Sequence, residues 1–204
     1  TPNQPGRLYA DPFVVLGNKG IAERRFDTLA EAVQRASHGD TIEIRGNGPF
    51  VTDPLDLGSK ALTIRAGSGY VPLIRPSPPA VKAAAHLLRT EGGLMLEGLE
   101  LHHEGLPENS DFRGLIGCFS APLYLANCKL VVNAGKYAPN TWAVSATGFS
   151  RGQIRNCLIV APGYGLTAGA QWKQTVGGSP SELPGISTLW ARRKIEHLID
   201  SRVA

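Results

Sequence analysis

Three segments of the chain, Leu96–Leu101 (LEGLEL), Leu125–Leu130 (LANCKL) and Ile154–Ile159 (IRNCLI), align without gaps. They begin at positions 96, 125 and 154, so the step from each segment to the next is constant, and the same step separates Leu115 from Val144. A period of this size lies within the range of about 20–45 residues that solenoid proteins use for one structural unit. The repeat therefore predicts a chain that winds into stacked, similar coils.

The apolar pattern within each unit predicts two strands joined by a sharp corner. Leu96 and Leu99 are separated by an odd step, so one continuous strand would send them to opposite faces. A bend between them turns both inward. The bend position is occupied by Gly98, Asn127 and Asn156, which are residue types that tolerate a positive φ. Since neighbouring strands lie about 4.8 Å apart, we expect the two asparagine amides to bond along the stack.

The three cysteines are predicted to be structural. Cys128 and Cys157 share one position of the repeat, so they should be stacked neighbours that face inward, and Cys118 stands apart from them. An odd number of cysteines at these spacings does not indicate a disulfide framework. We expect small core residues with free thiols; a bridge between adjacent coils would need local adjustment of the backbone.

Upstream of the repeat, residues 26–45 predict a short helix that runs directly into a strand. Thr28 and Glu31 have the spacing of a capping box. The apolar stripe of this helix consists of Leu29, Ala32, Val33 and Ala36. Gly39 is expected to end the helix in the left-handed conformation. Thr41–Arg45 then alternates with a period of two, as a strand with one buried face does.

The order of helix, Gly39-Asp40 and strand resembles the opening of right-handed parallel β-helix proteins of the pectin-lyase-like superfamily. In that superfamily such a helix caps the N-terminal end of the solenoid. The resemblance implies an all-β fold, a single-stranded right-handed parallel β-helix of about five coils. We expect an N-terminal extension over residues 1–25, the β-helix domain over 26–172, and a linker with a C-terminal helix over 173–204.

A narrower resemblance rests on Pro12–Leu16, on the helix and strand above, and on Lys60–Gly67 (KALTIRAG). These segments are similar to non-catalytic β-helix modules that occur in large bacterial multidomain proteins. The resemblance implies a recognition or scaffold module and no reaction.

The C-terminal part predicts a linker followed by a helix. Thr175–Pro184 is rich in Gly, Ser and Pro, which are loop-forming residues. Ile186–Val203 carries an apolar stripe opposite a basic cluster, as an amphipathic helix does. A solenoid end exposes unpaired strand edges, and we expect this helix to cover them.

Composition and charge exclude several classes of function. The chain has 204 residues, of which 42% are hydrophobic, which is enough for a real core in one domain. Its 24 glycines and 15 prolines favour a fold with many turns and argue against a helical bundle. The net charge of +4 comes from the two ends, because residues 27–172 hold 12 acidic and 12 basic side chains. The sequence therefore predicts no nucleic-acid-binding face. It also predicts no membrane span, which needs about 20 consecutive apolar residues.

Candidates for catalysis lie around the first repeat unit. They are Glu97, Glu100, His102, Asp111 and Arg113. His102 and His103 should point to opposite faces of a strand, which makes them a poor pair of ligands for one ion. We therefore favour a solvated strand end at this cluster, and we expect no metal ion and no cofactor.

The outward positions predict surface pairing. Glu100 and Lys129 share one register, and so do Glu97 and Arg155 on either side of Ala126. Opposite charges on neighbouring strands contribute about 0.2–1 kcal/mol. Such pairs are more common than a polymer-binding groove.

The catalytic patterns of the related enzymes are missing. Pectin methylesterases, pectate lyases and polygalacturonases depend on groups of aspartates with basic partners. Residues 90–170 hold one aspartate, Asp111. The resemblance therefore transfers the fold and no catalytic residue.

Three aromatic residues, Tyr124, Tyr137 and Trp142, are candidates for stacking on sugar rings. The sequence favours a non-enzymatic module that binds a polysaccharide or a protein partner. Two alternatives are a divergent polysaccharide lyase or hydrolase, and a purely structural spacer.

Overall fold

A computed structural model describes residues 11–16, 22–78, 85–106, 113–134, 141–148, 151–161, 164–168, 172–176, 179–182 and 187–189. This part of the chain is predominantly β-structure and contains one helix, α1 (Leu29–Arg35). The strands, numbered in chain order, form three sheets that are called A, B and C below. No helix among the described residues has the length and apolar character that a membrane crossing requires.

The strands of sheet A are β1 (Phe13–Leu16), β2 (Arg24–Phe26), β3 (Thr41–Ile44), β6 (Leu62–Ala66), β9 (Leu94–Glu97), β12 (Leu123–Ala126), β15 (Gly152–Arg155), β18 (Trp172–Val176) and β19 (Ser179–Glu182). The strands of sheet B are β4 (Phe50–Thr52), β7 (Leu73–Pro76), β10 (Glu100–Leu106), β13 (Lys129–Ala134) and β16 (Leu158–Val160). The strands of sheet C are β5 (Leu55–Asp56), β8 (His86–Thr90), β11 (Gly114–Phe119), β14 (Trp142–Thr147), β17 (Tyr164–Ala168) and β20 (Ser187–Leu189).

From β3 to β18 the chain visits sheets A, B and C in a fixed order. Within each sheet, the strands of this run pair in parallel with the strand three positions earlier. This arrangement of stacked parallel sheets is compatible with a β-helix. Alternating residues of each strand can then face a shared interior, as the sequence pattern requires.

The interior is built from three apolar columns, one per sheet. In sheet A the column consists of Ile42, Ile64, Leu96, Leu125 and Ile154, each in register with the next. In sheet B it consists of Phe50, Ile74, Leu101, Leu130 and Ile159. In sheet C it consists of Leu55, Leu88, Ile116, Val144 and Leu166. All of these side chains belong to one core or pack against it. Burial of this shared apolar wall is the main source of stability, since it removes hydrocarbon from water.

The register of sheet C corrects one sequence expectation. Val144 pairs with Ile116 and not with Leu115, so the step in this sheet is one residue shorter than the repeat predicts. Leu115 is nevertheless fully buried. The predicted step holds in sheet A, where Leu96, Leu125 and Ile154 lie directly beside one another, and also in sheet B. The difference of one residue arises within the β10–β13 pair, where Glu104 lies beside Asn133 but Leu106 lies beside Ala134.

Helix α1 forms for the reasons that the sequence indicates. Thr28 is extended, and its hydroxyl accepts a hydrogen bond from the backbone N–H of Glu31 at 3.2 Å. Its side chains Leu29, Ala32 and Val33 are buried, which supplies the tertiary contacts that a short helix needs. The helix ends at Arg35, before the residue predicted to stop it. Gly39, with φ 87°, closes the turn into β3 instead.

At both ends of the parallel run, further strands join the sheets in antiparallel pairs. Before β3, strands β1 and β2 pair antiparallel in sheet A, so the sheet includes part of the predicted N-terminal extension. After β17, strands β18 and β19 pair antiparallel where a linker was expected, and β20 pairs antiparallel with β17. Ser187–Leu189 is therefore strand, not the first turn of the predicted helix over 186–203, whose remainder lies outside the described residues. These antiparallel strands satisfy sheet edges that the helix was expected to cover.

Candidate ligand-binding face

The four catalytic candidates that the structure describes belong to different parts of the fold. Glu97 ends β9 in sheet A, Glu100 and His102 lie on β10 in sheet B, and Arg113 precedes β11 in sheet C. Asp111 lies outside the described residues. Of the four described candidates, Glu100 and His102 contact each other. Within the described part of the chain, therefore, these residues do not converge on one cleft.

Glu100 is the centre of a small charged cluster on the outer face of sheet B. Its Oε2 lies 3.1 Å from Nε2 of His102 and 3.3 Å from Nζ of Lys129. Glu100 and Lys129 are directly in register, as the repeat predicts. This geometry is a cross-strand ion pair with an imidazole beside it, and half-buried pairs of this kind contribute about 0.2–1 kcal/mol.

The adjacent histidines lie inside a strand rather than in a loop after one. Strand β10 continues to Leu106, and both His102 and His103 are buried, so the expectation of a solvated strand end is wrong. His103 pairs in register with the core residue Val132, whereas His102 turns outward to Glu100. Burial lowers the pKa of His103. The two imidazoles therefore lie on opposite faces of strand β10.

Sheet A carries the exposed face with the most ligand-binding character. Tyr124 is 45% exposed and lies directly beside Met95, which is 36% exposed. The row continues in register to Thr63 on one side and Gln153 on the other. Contiguous exposed apolar side chains mark binding surfaces more often than single exposed ones do.

A second outward row runs parallel to the first, two residues further along each strand. It consists of Arg65, Glu97, Ala126 and Arg155 in register. Ala126 is small and buried, so Glu97 and Arg155 flank a low point in the row beside Tyr124. We call the two rows together the Tyr124 face: Thr63, Met95, Tyr124, Gln153, Arg65, Glu97, Ala126 and Arg155.

Toward the N-terminal end, this face passes into a paired charge network. The guanidinium group of Arg65 donates to Glu43 at 2.8 Å, and Nε of Arg45 donates to the other oxygen of Glu43 at 2.8 Å. Arg45 also holds Glu23 through two hydrogen bonds of 2.8 and 2.9 Å. Burial alone would raise the pKa of the Glu43 carboxyl, but the two arginines outweigh it and hold that pKa below its ordinary value. Because the side chains of this network pair with one another, their charges are less available to a ligand than the guanidinium group of Arg155.

Trp142, the other aromatic candidate that the structure describes, does not join Tyr124. Trp142 is half-buried at the start of β14 in sheet C, and Tyr137 lies outside the described residues. Tyr124 on sheet A and Trp142 on sheet C therefore belong to different sheets. Because Tyr124 lies between two inward leucines of β12, the alternation within that strand alone predicts that its side chain faces outward.

Sheet C holds a cluster that the sequence did not indicate. The ring of His86 packs on Gly117, where an added Cβ would lie 2.5 Å from Nδ1, and it meets Phe119 edge-on at 5.9 Å between centroids. The guanidinium of Arg89 lies 5.1 Å from the centre of the Phe119 ring. Burial, together with the nearby charges of Arg113 and Arg89, lowers the pKa of His86 to about 4. The missing side chain of Gly117 was the one sequence signal for this contact.

The corner residues have the conformation that their residue types permit. Gly98, Asn127 and Asn156 have φ values of 69°, 55° and 50°. The side-chain amide of Asn156 donates to the side-chain oxygen of Asn127 at 2.7 Å, which forms one rung of a ladder. Next to this corner, Cys128 and Cys157 are stacked, and both thiols are free.

Neither a metal centre nor a known relative adds to this picture. In the ranges that the structure describes, no group of three or more His, Cys, Asp or Glu side chains is arranged to hold a metal ion. No protein-family model, no curated protein and no solved structure matches the chain.

Proposed function

We propose that the chain is a right-handed parallel β-helix of about five coils that binds a polysaccharide on the Tyr124 face and catalyses no reaction. The handedness is supported by a general rule, since parallel strands joined by crossover connections are right-handed in about 98% of cases. The likeness to pectin-lyase-like proteins in the sequence of α1 and β3 supports the same fold.

The observation that carries the proposal is the in-register placement of the exposed Met95 beside the exposed Tyr124. An aromatic ring that is open on one side offers an apolar surface to the C–H face of a sugar and keeps a polar hydroxyl group at its tip. Gln153 and Arg155 on the next strand supply hydrogen-bond donors beside it. Binding sites of this kind combine an apolar platform with a few placed polar groups.

The regular spacing of the strands supports a polymer over a small ligand. Rows on neighbouring strands repeat about every 4.8 Å, so an extended chain across the sheet meets equivalent positions in succession. Along one row these positions are Thr63, Met95, Tyr124 and Gln153. The polymer would then run along the stack and cross the strands.

Affinity measurements on a panel of neutral and acidic polysaccharides test the proposal. Tyr124→Ala is expected to weaken the best ligand about tenfold, which corresponds to about 1.4 kcal/mol. Val51→Ala removes a side chain that is 61% exposed on sheet B and serves as the matched control, with unchanged affinity expected. Absence of binding to every polysaccharide, or equal loss in both variants, would contradict the proposal.

A second candidate is a divergent polysaccharide lyase or hydrolase that uses the Glu100 cluster. It is favoured by one observation, the 3.1 Å contact of Glu100 with His102, because a carboxylate can orient an imidazole for proton transfer. Turnover of pectin or alginate that disappears in Glu100→Ala but persists in Tyr124→Ala would establish this candidate and displace the binding module.

A further inference from the structure

We propose that Cys128 and Cys157 form a thiol–disulfide exchange site that reacts with small disulfides such as oxidised glutathione. Each cysteine directly follows the left-handed asparagine of its corner, Asn127 or Asn156. The two cysteines therefore occupy the same position on successive coils. This proposal does not depend on polysaccharide binding.

The register on both sides of the pair fixes their stacking. Ala126 lies beside Arg155 just before the corner, and Lys129 lies beside Leu158 just after it. Strands in this arrangement are about 4.8 Å apart, which falls within the Cα separations of about 4.4–6.8 Å that disulfides bridge.

The sulfur of Cys157 already lies under the residue to which it would be joined. The backbone N–H of Cys128 donates to Sγ of Cys157 at 3.4 Å. Each thiol also donates to the carbonyl two residues earlier, at 3.2 Å to Ala126 and at 3.2 Å to Arg155. Bond formation requires each S–H to release that carbonyl and turn toward the other sulfur.

The two thiols differ in access and in acidity. Cys128 is 3% exposed, whereas Cys157 is half-buried and precedes β16, the last strand of sheet B among the described residues. The neighbouring Cys128 thiol lowers the pKa of Cys157 against the effect of burial. The pKa of Cys128 is raised by its proximity to Cys157 and by burial. Cys157 is therefore the attacking thiol, and Cys128 resolves the intermediate.

Oxidised glutathione is the one reactant, besides the two protein thiols, that the exchange requires. The Cys157 thiolate attacks one sulfur of oxidised glutathione, which breaks the S–S bond, forms a mixed disulfide and releases one glutathione thiolate. The thiol of Cys128 then gives up its proton and attacks Sγ of Cys157, which releases the second glutathione. Two protein thiols are oxidised, and one small disulfide is reduced to two thiols. The product closes a loop that spans one complete coil.

The full chain incubated in glutathione redox buffers tests the site. Free thiols are counted after denaturation, and the linked peptides are mapped by mass spectrometry. We expect the count to fall from three to one, with a single link between Cys128 and Cys157. Three remaining thiols, a link through Cys118, or a link between two chains would overturn the proposal.

Variants assign the roles of the two thiols. Cys128→Ser should stop at a glutathione adduct on Cys157, whereas Cys157→Ser should take up no glutathione at Cys128. Cys118→Ser is the matched control, since Cys118 is buried in sheet C and donates to Ala121; it should form the link at the wild-type rate. An adduct on Cys128 in Cys157→Ser would overturn the assignment of roles. Peptide mapping of the wild type decides the proposal even if a variant fails to fold.

Discussion

Counted between register partners in sheet A, the coils that start at β9 and β12 contain the same number of residues, whereas the two coils before them differ in length. Register partners step from position 96 to 125 and from 125 to 154, so both of these steps equal the period of the repeat. Before that, the step from position 42 to 64 is shorter than the period, and the step from 64 to 96 is longer. The inward residue at every step is nevertheless Ile or Leu. Stacking thus requires an apolar residue at each rung, and it tolerates connections of different length between rungs.

If the equal and unequal coils share one apolar wall, truncating an inward side chain of sheet A in either region should destabilise the protein by a similar, large amount. Leu125→Ala in the equal coils and Ile64→Ala in the unequal ones are each expected to lower the free energy of unfolding by about 2–5 kcal/mol. Both side chains are fully buried and in register with Leu96. Urea denaturation measures the change.

Val51→Ala is the control for this pair, because Val51 is exposed and its truncation should stay within about 0.5 kcal/mol of wild type. A loss in Leu125→Ala together with a near-neutral Ile64→Ala would separate the two regions. The unequal coils would then not share the wall of the equal ones.

The equal coils can be predicted from the sequence, whereas the unequal coils cannot. In the equal coils, LEGLEL, LANCKL and IRNCLI repeat at a constant step. In the unequal coils, strands β4 and β5 are among the shortest that the structure describes, and they are too short for a periodic signal. The stacking of Phe50 on Ile74 depends on the whole coil and cannot be found in either segment alone.

The candidate face was predictable in part for a related reason. Alternation within β12 is a local property, so it sent Tyr124 outward correctly. The neighbour of Tyr124 across the strands is Met95, which follows from the repeat register. The packing of His86 on Gly117 joins residues whose spacing matches no repeat, so only the folded chain brings them together.

Two histidines whose pKa is lowered by burial place one titratable group in each region. His86 lies on β8, before the equal coils, and its pKa of about 4 is far below the ordinary value of 6.5. His103 lies within them on β10, and burial lowers its pKa as well. A base whose pKa is lower in the folded state binds protons preferentially when unfolded. Stability is therefore complete above about pH 6.5 and falls as the pH drops from there toward 4.

His86 is expected to account for up to about 3 kcal/mol of this loss. Urea midpoints at pH 7.5, 6 and 4.5 measure it. His86→Phe keeps a ring against Phe119 and should flatten most of the pH dependence, leaving the part due to His103. Val51→Ala, which changes an exposed side chain without a titratable group, should leave the slope as in wild type. If His86→Phe shows the same pH dependence of stability as the wild type, the imidazole of His86 in the wild type is protonated equally easily in the folded and the unfolded protein.

The corner gives the smallest and most local test of the comparison. In the equal coils this position holds Gly98, Asn127 and Asn156, whereas the preceding rung holds Ala66, whose Cβ would lie 3.1 Å from a Cβ added at Gly98. The asparagine ladder therefore consists of Asn127 and Asn156, and it already ends at Gly98 within the equal coils.

Asn127→Ala should cost about 1–2 kcal/mol, since alanine pays the left-handed penalty and cannot bond to Asn156. Asn127→Gly loses the amide contact but adopts the positive φ freely, so it should cost less, about 0.5–1.5 kcal/mol. Thermal or urea unfolding of both variants separates the two contributions. An equal cost for Ala and Gly would mean that the ladder bond, not backbone conformation, selects asparagine at this corner.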